Sequence, residues 1–191
     1  MARWKAVAGR SNLNLAQCID SRSLVFVDVA SELGPSLSAD SSANSSLRTL
    51  FDTLRSLLDE GADVRPLVIL DDIATLEWIG VPLLELVRFS RAIYALCRKT
   101  HAALIVRHHV VTPGEPDDLL RHLLQLCTYH MDVLPLSSGR SGSVSGQVAL
   151  HAGPSAVDSP IKLIPRSVAV HYRLTDSGSI FFDRGTGGGV L

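Results

Sequence analysis

Two adjacent carboxylates, Asp71 and Asp72, follow directly on four apolar residues, Leu67, Val68, Ile69 and Leu70. An apolar run without polar alternation predicts a strand buried on both faces, as in the middle of a parallel sheet. Acids at the carboxyl end of such a strand stand where open α/β sheets bind ligands. A nucleotide hydrolase uses an Asp there to position Mg²⁺ against phosphates. That chemistry also needs a phosphate cradle, G-x-x-x-x-G-K-[ST], whose backbone amides and lysine wrap the phosphates. The sequence contains no such string. Gly185, Gly187, Gly188 and Gly189 lie at the extreme C-terminus with no helix after them and read as a tail. Asp71 and Asp72 are therefore expected to form a strand-end turn and a helix cap, a degenerate Walker B-like position. Neither a metal nor a cofactor is expected.

A second group, His108, His109, Asp117, Asp118 and His122, has metal-ligating side chains but the wrong spacing. A catalytic zinc helix carries two histidines at i and i+4 with a Glu between them. Here His108 and His109 are adjacent and would point to opposite faces of an extended chain, while His122 is alone on its helix. Nucleophilic catalysis finds no G-x-S-x-G elbow. Cys18 has Asp20 and Arg22 nearby but no histidine beside it in sequence. Arg107, His108 and His109, and separately the basic N-terminal residues Arg3, Lys5 and Arg10, offer a few phosphate contacts. No exposed aromatics suited to base stacking flank them, and a solvated rim is the plainer reading. Arg107, His108 and His109 stand as the candidate RNA-facing or interface loop.

The elements that must position these residues follow from periodicity. Ser23–Val29 predicts a first buried strand ending near Asp28. Residues 31–46, rich in Ser with Gly34 and Pro35, predict a flexible loop. Leu47, Leu50, Phe51, Leu54, Leu57 and Leu58 recur at helical spacing, with Ser45 or Ser46 as cap and Gly61 past the end. The Asp71-Asp72 strand follows. Val81–Lys99 predicts a helix with Leu84, Val87, Ile93 and Cys97 inward, Pro82 in its first turn, and Arg88, Arg91, Arg98 and Lys99 on the wet side. Ala102–Arg107 predicts a third buried strand. Asp117 then caps a helix striped by Leu119, Leu120, Leu123, Leu124 and Cys127.

Beyond this point the pattern changes. Tyr129–Leu136 predicts a strand, and residues 137–146 a flexible Gly/Ser-rich connection. Val144–His151, Lys162–Ile164, Val168–Leu174 and Ser179–Phe182 predict strands joined by turns, the last pair through Thr175–Gly178. Strand–helix alternation first and a β-rich end afterwards predict an α/β core with an antiparallel extension.

Composition sets the outer limits. A chain of 191 residues, 46% hydrophobic and 19% charged, predicts one folded domain over residues 1–191. The net charge of -1 gives no global basic field to attract nucleic acid, so RNA contact would come from local loops or partner subunits. Cys18, Cys97 and Cys127 form no CxxC pair, which predicts buried thiols in a reducing compartment. No apolar run reaches the roughly 18 residues of a membrane span.

Three stretches together resemble the Elongator complex protein 6 family. They are Pro66–Gly80, a hydrophobic strand ending in Asp-Asp with an apolar turn reaching Ile79-Gly80; Leu86–Ala92, a helix with Phe89 and an Arg91-Ala92 step; and His171–Gly185 running to Val190-Leu191. The resemblance implies a RecA-like fold, a mostly parallel sheet flanked by helices, that has lost its catalytic motifs. It also implies a non-catalytic subunit in a hetero-hexameric ring with Elongator complex proteins 4 and 5. That ring serves the Elongator core subunits in modifying the wobble uridine of tRNA, and the resemblance places it in the cytoplasm and also the nucleus. The resemblance begins near Trp4–Gly9, so the strands and degenerate phosphate-loop position that precede this point in full-length relatives are expected to be missing. The alternative is an active RecA-like ATPase whose phosphate loop lies upstream of a truncated gene model, with Asp71 or Asp72 on Mg²⁺.

Overall fold

A computed structural model of the chain describes residues 2–29, 43–60, 65–112, 114–136, 139, 141–157 and 161–183. It is mixed α/β, with a two-stranded parallel sheet and a four-stranded antiparallel one. The chain divides into two compact units, residues 28–127 and residues 1–27 with 128–191.

In the first of these units, helix α3 (Ala43–Glu60) leads to strand β1 (Leu67–Leu70), short helix α4 (Ala74–Trp78), helix α5 (Leu83–Lys99), strand β2 (Ala103–Val106) and helix α6 (Asp118–Leu126). The core is built on α5. Leu86, Val87, Phe89, Ser90, Ile93, Leu96 and Cys97 recur at helical spacing and are all buried, facing α3 and α6. Ser90, the polar member, satisfies its hydroxyl by donating to the Leu86 carbonyl at 2.7 Å. Leu84, expected inward, is exposed. It precedes Ile93 by about two and a half helical turns, which puts it on the opposite side. Arg98 and Lys99 lie in the last turn, where cations complement the helix dipole. Gly80, with φ +99°, makes the tight link between α4 and α5 in the left-handed region that favours glycine.

Strands β1 and β2 pair in parallel from Leu67 with Ala103 to Leu70 with Val106. One face carries Val68, Leu70, Leu104 and Val106 inward. The other is open: Leu67, Ile69 and Ile105 are 54%, 52% and 51% exposed. The expectation that both strands are buried on both faces is thus corrected. The composition is that of a sheet covered on two sides, but the described residues cover one.

In the second unit, α1 (Ala2–Arg10) packs on α2 (Leu15–Asp20), whose start is capped by Asn14 through its side-chain oxygen and the amides of Ala16 and Gln17. The strand expected at Ser23–Val29 does not form. No neighbour within the described residues offers it a ladder, Val25 and Phe26 are exposed, and the Leu24 amide turns back to the Cys18 carbonyl. An apolar run becomes a strand only when a partner supplies hydrogen bonds.

Strands β3 (Tyr129–Leu134), β4 (Gly146–Ala152), β5 (Val170–Thr175) and β6 (Gly178–Phe182) form the antiparallel sheet in sequential order. β5 and β6 close through the two residues Asp176 and Ser177, since Thr175 pairs with Gly178. Cross-strand ring contacts, His171 with Phe182 and Tyr172 with Phe181, fix their register. Lys162–Ile164 is not a full strand: only Ile164 bridges, to Leu150. Arg166–Val168, of which Val168 was expected to begin a strand, is a single 3-10 turn. Among the described residues the parallel part is therefore smaller than expected, and the antiparallel sheet has four strands.

The expected loop over 31–46 ends earlier, because α3 already starts at Ala43, which puts Ser45 and Ser46 inside the helix instead of before it. The rest of that loop, Gly61, parts of 137–146 and the C-terminal glycines lie outside the described residues.

Candidate functional site

The parallel register puts the carboxyl ends of β1 and β2 side by side. Leu70 pairs with Val106, the Arg107 amide donates to the Leu70 carbonyl at 2.9 Å, and the Ile73 amide donates to the Arg107 carbonyl at 3.1 Å. Residues distant in sequence, Asp71-Asp72 and Arg107–His109, thereby emerge at one end of one sheet. Asp71 Oδ1 accepts a hydrogen bond from Arg107 Nη1 at 2.6 Å. This bond, with the charges of Asp71 and Asp72, holds the guanidinium pKa above its usual value against a smaller opposing effect of burial. Asp72 Oδ1 accepts from the Ala74 amide at 3.1 Å and so caps the turn into α4.

The three loop residues diverge. Arg107 is half exposed and tied to Asp71. His108 turns inward, its side chain 5% exposed, with Nε2 3.2 Å from Asp117 Oδ2 but not aligned for a hydrogen bond. Asp117 also accepts from the Leu120 amide at 2.8 Å, as the N-cap of α6. His109 is exposed and meets the edge of the Trp78 ring at 6.3 Å. Of the loop, then, Arg107 and His109 reach solvent. His122 sits on α6 with its Nδ1 buried and unpartnered. Among the described residues no group of three His, Cys, Asp or Glu side chains is arranged to hold a metal ion. Cys18 lies half-buried in α2.

A second constellation was not legible in the sequence. Asp132 in β3 is buried and meets three cationic or titratable side chains. Its Oδ1 lies 3.1 Å from His130 Nε2, and its Oδ2 lies 3.3 Å from His151 Nε2 and accepts from Arg166 Nε at 2.6 Å. Sheet register explains the gathering. His130 and Asp132 alternate onto one face, His151 is the direct partner of His130, and Ala149 stands opposite Asp132. The small Ala149 leaves room for Arg166 to cross β4. Burial alone would raise the Asp132 pKa, but the Arg166 bond and the neighbouring charges outweigh it and hold the carboxyl below its ordinary value. Burial holds the His130 pKa down, reinforced by His151 and Arg166 and opposed by Asp132. The sequence signal was His130-x-Asp132 inside an otherwise apolar strand, but its partners follow only from the register.

Comparison with known proteins adds identity to this geometry. No curated protein matches the chain. The family model described as Elongation complex protein 6 matches residues 1–176, a span that includes both strand ends and the Asp132 constellation. It ends before β6, so Phe181, Phe182 and the Val190-Leu191 terminus contribute nothing to it. With most of its length matched, the chain belongs to the Elongator complex protein 6 family and is by that membership an Elongator subunit.

Proposed function

We propose that this chain is a non-catalytic subunit of the Elongator accessory ring, assembled with Elongator complex proteins 4 and 5 and acting in wobble-uridine modification of tRNA. On this reading β1 and β2 with α3, α5 and α6 are the remnant of a RecA-like sheet. The observation that carries the proposal is the state of the strand-end acids. Asp71 is engaged by Arg107 and Asp72 by the Ala74 amide, so both carboxylates serve the protein's own turn. Two further features support a role in assembly. The outer face of β1 and β2 presents Leu67, Ile69 and Ile105, and one face of the antiparallel sheet presents Met131, Val133, Leu174 and Phe181. Apolar sheet faces of this kind mark contact surfaces more often than solvent surfaces. Arg107 and His109 are the groups through which the assembled ring would meet RNA.

Co-expression with Elongator complex proteins 4 and 5, followed by mass determination of what co-purifies, tests the assignment. A ring containing all three subunits is expected. A ring of the other two that leaves this chain out would overturn it. In the assembled ring, Arg107→Glu is expected to weaken tRNA binding, and unchanged affinity would remove the loop from the proposal.

A further inference from the structure

The segment between β4 and β5 does not take the short route that two neighbouring antiparallel strands allow. After Ala152 the chain makes an excursion to Ala169, and only β4 residues Gly146–Val148 pair with β5. Beyond Val148, the place beside β4 is taken by the excursion itself. Ile164 bridges Leu150 through two hydrogen bonds, Leu150 N–H to the Ile164 carbonyl at 2.7 Å and Ile164 N–H to the Leu150 carbonyl at 2.9 Å. Two residues later, Arg166 reaches Asp132. The Ile164 bridge and the Arg166 ion pair are thus two of the ties that dock this segment on the sheet.

We infer that Asp132 is the catch of an acid-opened latch: it holds Arg166, and with it residues 161–169, until protonation of His130 and His151 displaces the arginine. The argument is one of geometry and relative mobility. Both imidazole Nε2 atoms already stand at ion-pair distance from the carboxylate, one at each oxygen. Neutral rings leave the negative charge to Arg166. Charged rings, with centroids 5.9 Å apart, would put three cations around one carboxylate, and mutual repulsion expels the least constrained. That is Arg166. Its side chain is 66% exposed and water can solvate it at once, whereas the His130 and His151 side chains are only 29% and 33% exposed and belong to paired strands. Asp132 stays ionised through this window because it titrates below the usual carboxylate range. The other titratable or charged groups that the register puts on this face among the described residues are His171 of β5, opposite Gln147 and engaged with the Phe182 ring, and Arg173, opposite Ile180. Opening would uncover the backbone edge of β4 at Leu150, a short site for another strand.

Amide hydrogen exchange of the full chain, corrected for intrinsic rates, tests the latch between about pH 7.5 and about pH 5, the range in which histidine changes charge. Protection of the Ile164 and Leu150 amides is expected to fall about tenfold or more, the factor carried by one unit of differential protonation, while that of Arg173 holds. The double variant His130→Gln/His151→Gln should keep Ile164 protected across the range. Arg166→Gln, a change at an exposed side chain that leaves no void, should release Ile164 already at neutral pH. Flat protection in the unsubstituted chain, an equal loss at Arg173, an undiminished loss in the double variant, or full neutral-pH protection in Arg166→Gln would each overturn the inference.

Discussion

Asp71 Oδ1 and Arg107 Nη1 stand 2.6 Å apart because Leu70 and Val106 are register partners one step earlier in the parallel ladder. The pair marks the carboxyl end of the sheet and gives the Arg107 side chain a fixed direction. Its energetic share is small, since Arg107 is half exposed and solvent screens the charge. Arg107→Ala is expected to change unfolding stability by less than about 1 kcal/mol in a urea titration. A larger loss would show that the pair holds the sheet end together.

The fold depends far more on α5. Leu86 and Ile93 are fully buried. Truncation there removes apolar contact and leaves a cavity, so Leu86→Ala is expected to cost about 2–5 kcal/mol in the same titration. Leu84→Ala, on the opposite, exposed side of the same helix, should leave the midpoint almost unmoved.

Gly146 starts β4 where nothing larger fits. A methyl group there would lie 2.7 Å from the Leu134 carbonyl oxygen and 2.8 Å from the Tyr172 ring. The first neighbour is backbone and can yield only by moving β3. Gly146→Ala is expected to destabilise the antiparallel sheet by about 1–3 kcal/mol, read as a lowered thermal midpoint.

Thiol chemistry should follow burial. Cys97 is buried in α5, and desolvation raises its pKa; burial likewise raises that of the half-buried Cys127, against a smaller opposing backbone hydrogen bond. Thiolate is the reactive form. Alkylation followed by peptide mass analysis should modify Cys18 first and Cys97 only in denaturant. Modification of Cys97 at the rate of Cys18 in the native chain would contradict the buried placement.

Acid should weaken the antiparallel sheet in two stages. His130 has a folded-state pKa below its ordinary 6.5, so as pH falls below that value the unfolded chain takes up the proton first. The stability present above it is then lost until the folded ring also protonates. Asp132, held below 3.8, adds a second loss as pH falls through its unfolded and then its folded value. The urea midpoint is expected to decline through both windows. A midpoint independent of pH from about 7 to about 3 would contradict both assignments.

The sequence by itself determined the elements whose character is local. The α5 helix with Val87, Ile93 and Cys97 inward, the Asp117 cap of α6, and the strand that leads into Asp71 all follow from spacing and capping chemistry within a few residues. The resemblance likewise rested on contiguous motifs, two of which fall inside the matched span. Only the tertiary structure decided which face of β1 is covered, why the run at Val25 and Phe26 forms no strand, and that His130, Asp132, His151 and Arg166 meet at one carboxylate. Each of those depends on what lies beside a strand. A strand's hydrogen bonds and both of its faces are satisfied by residues remote in the chain, so its own sequence carries the demand for a partner but not the partner's identity.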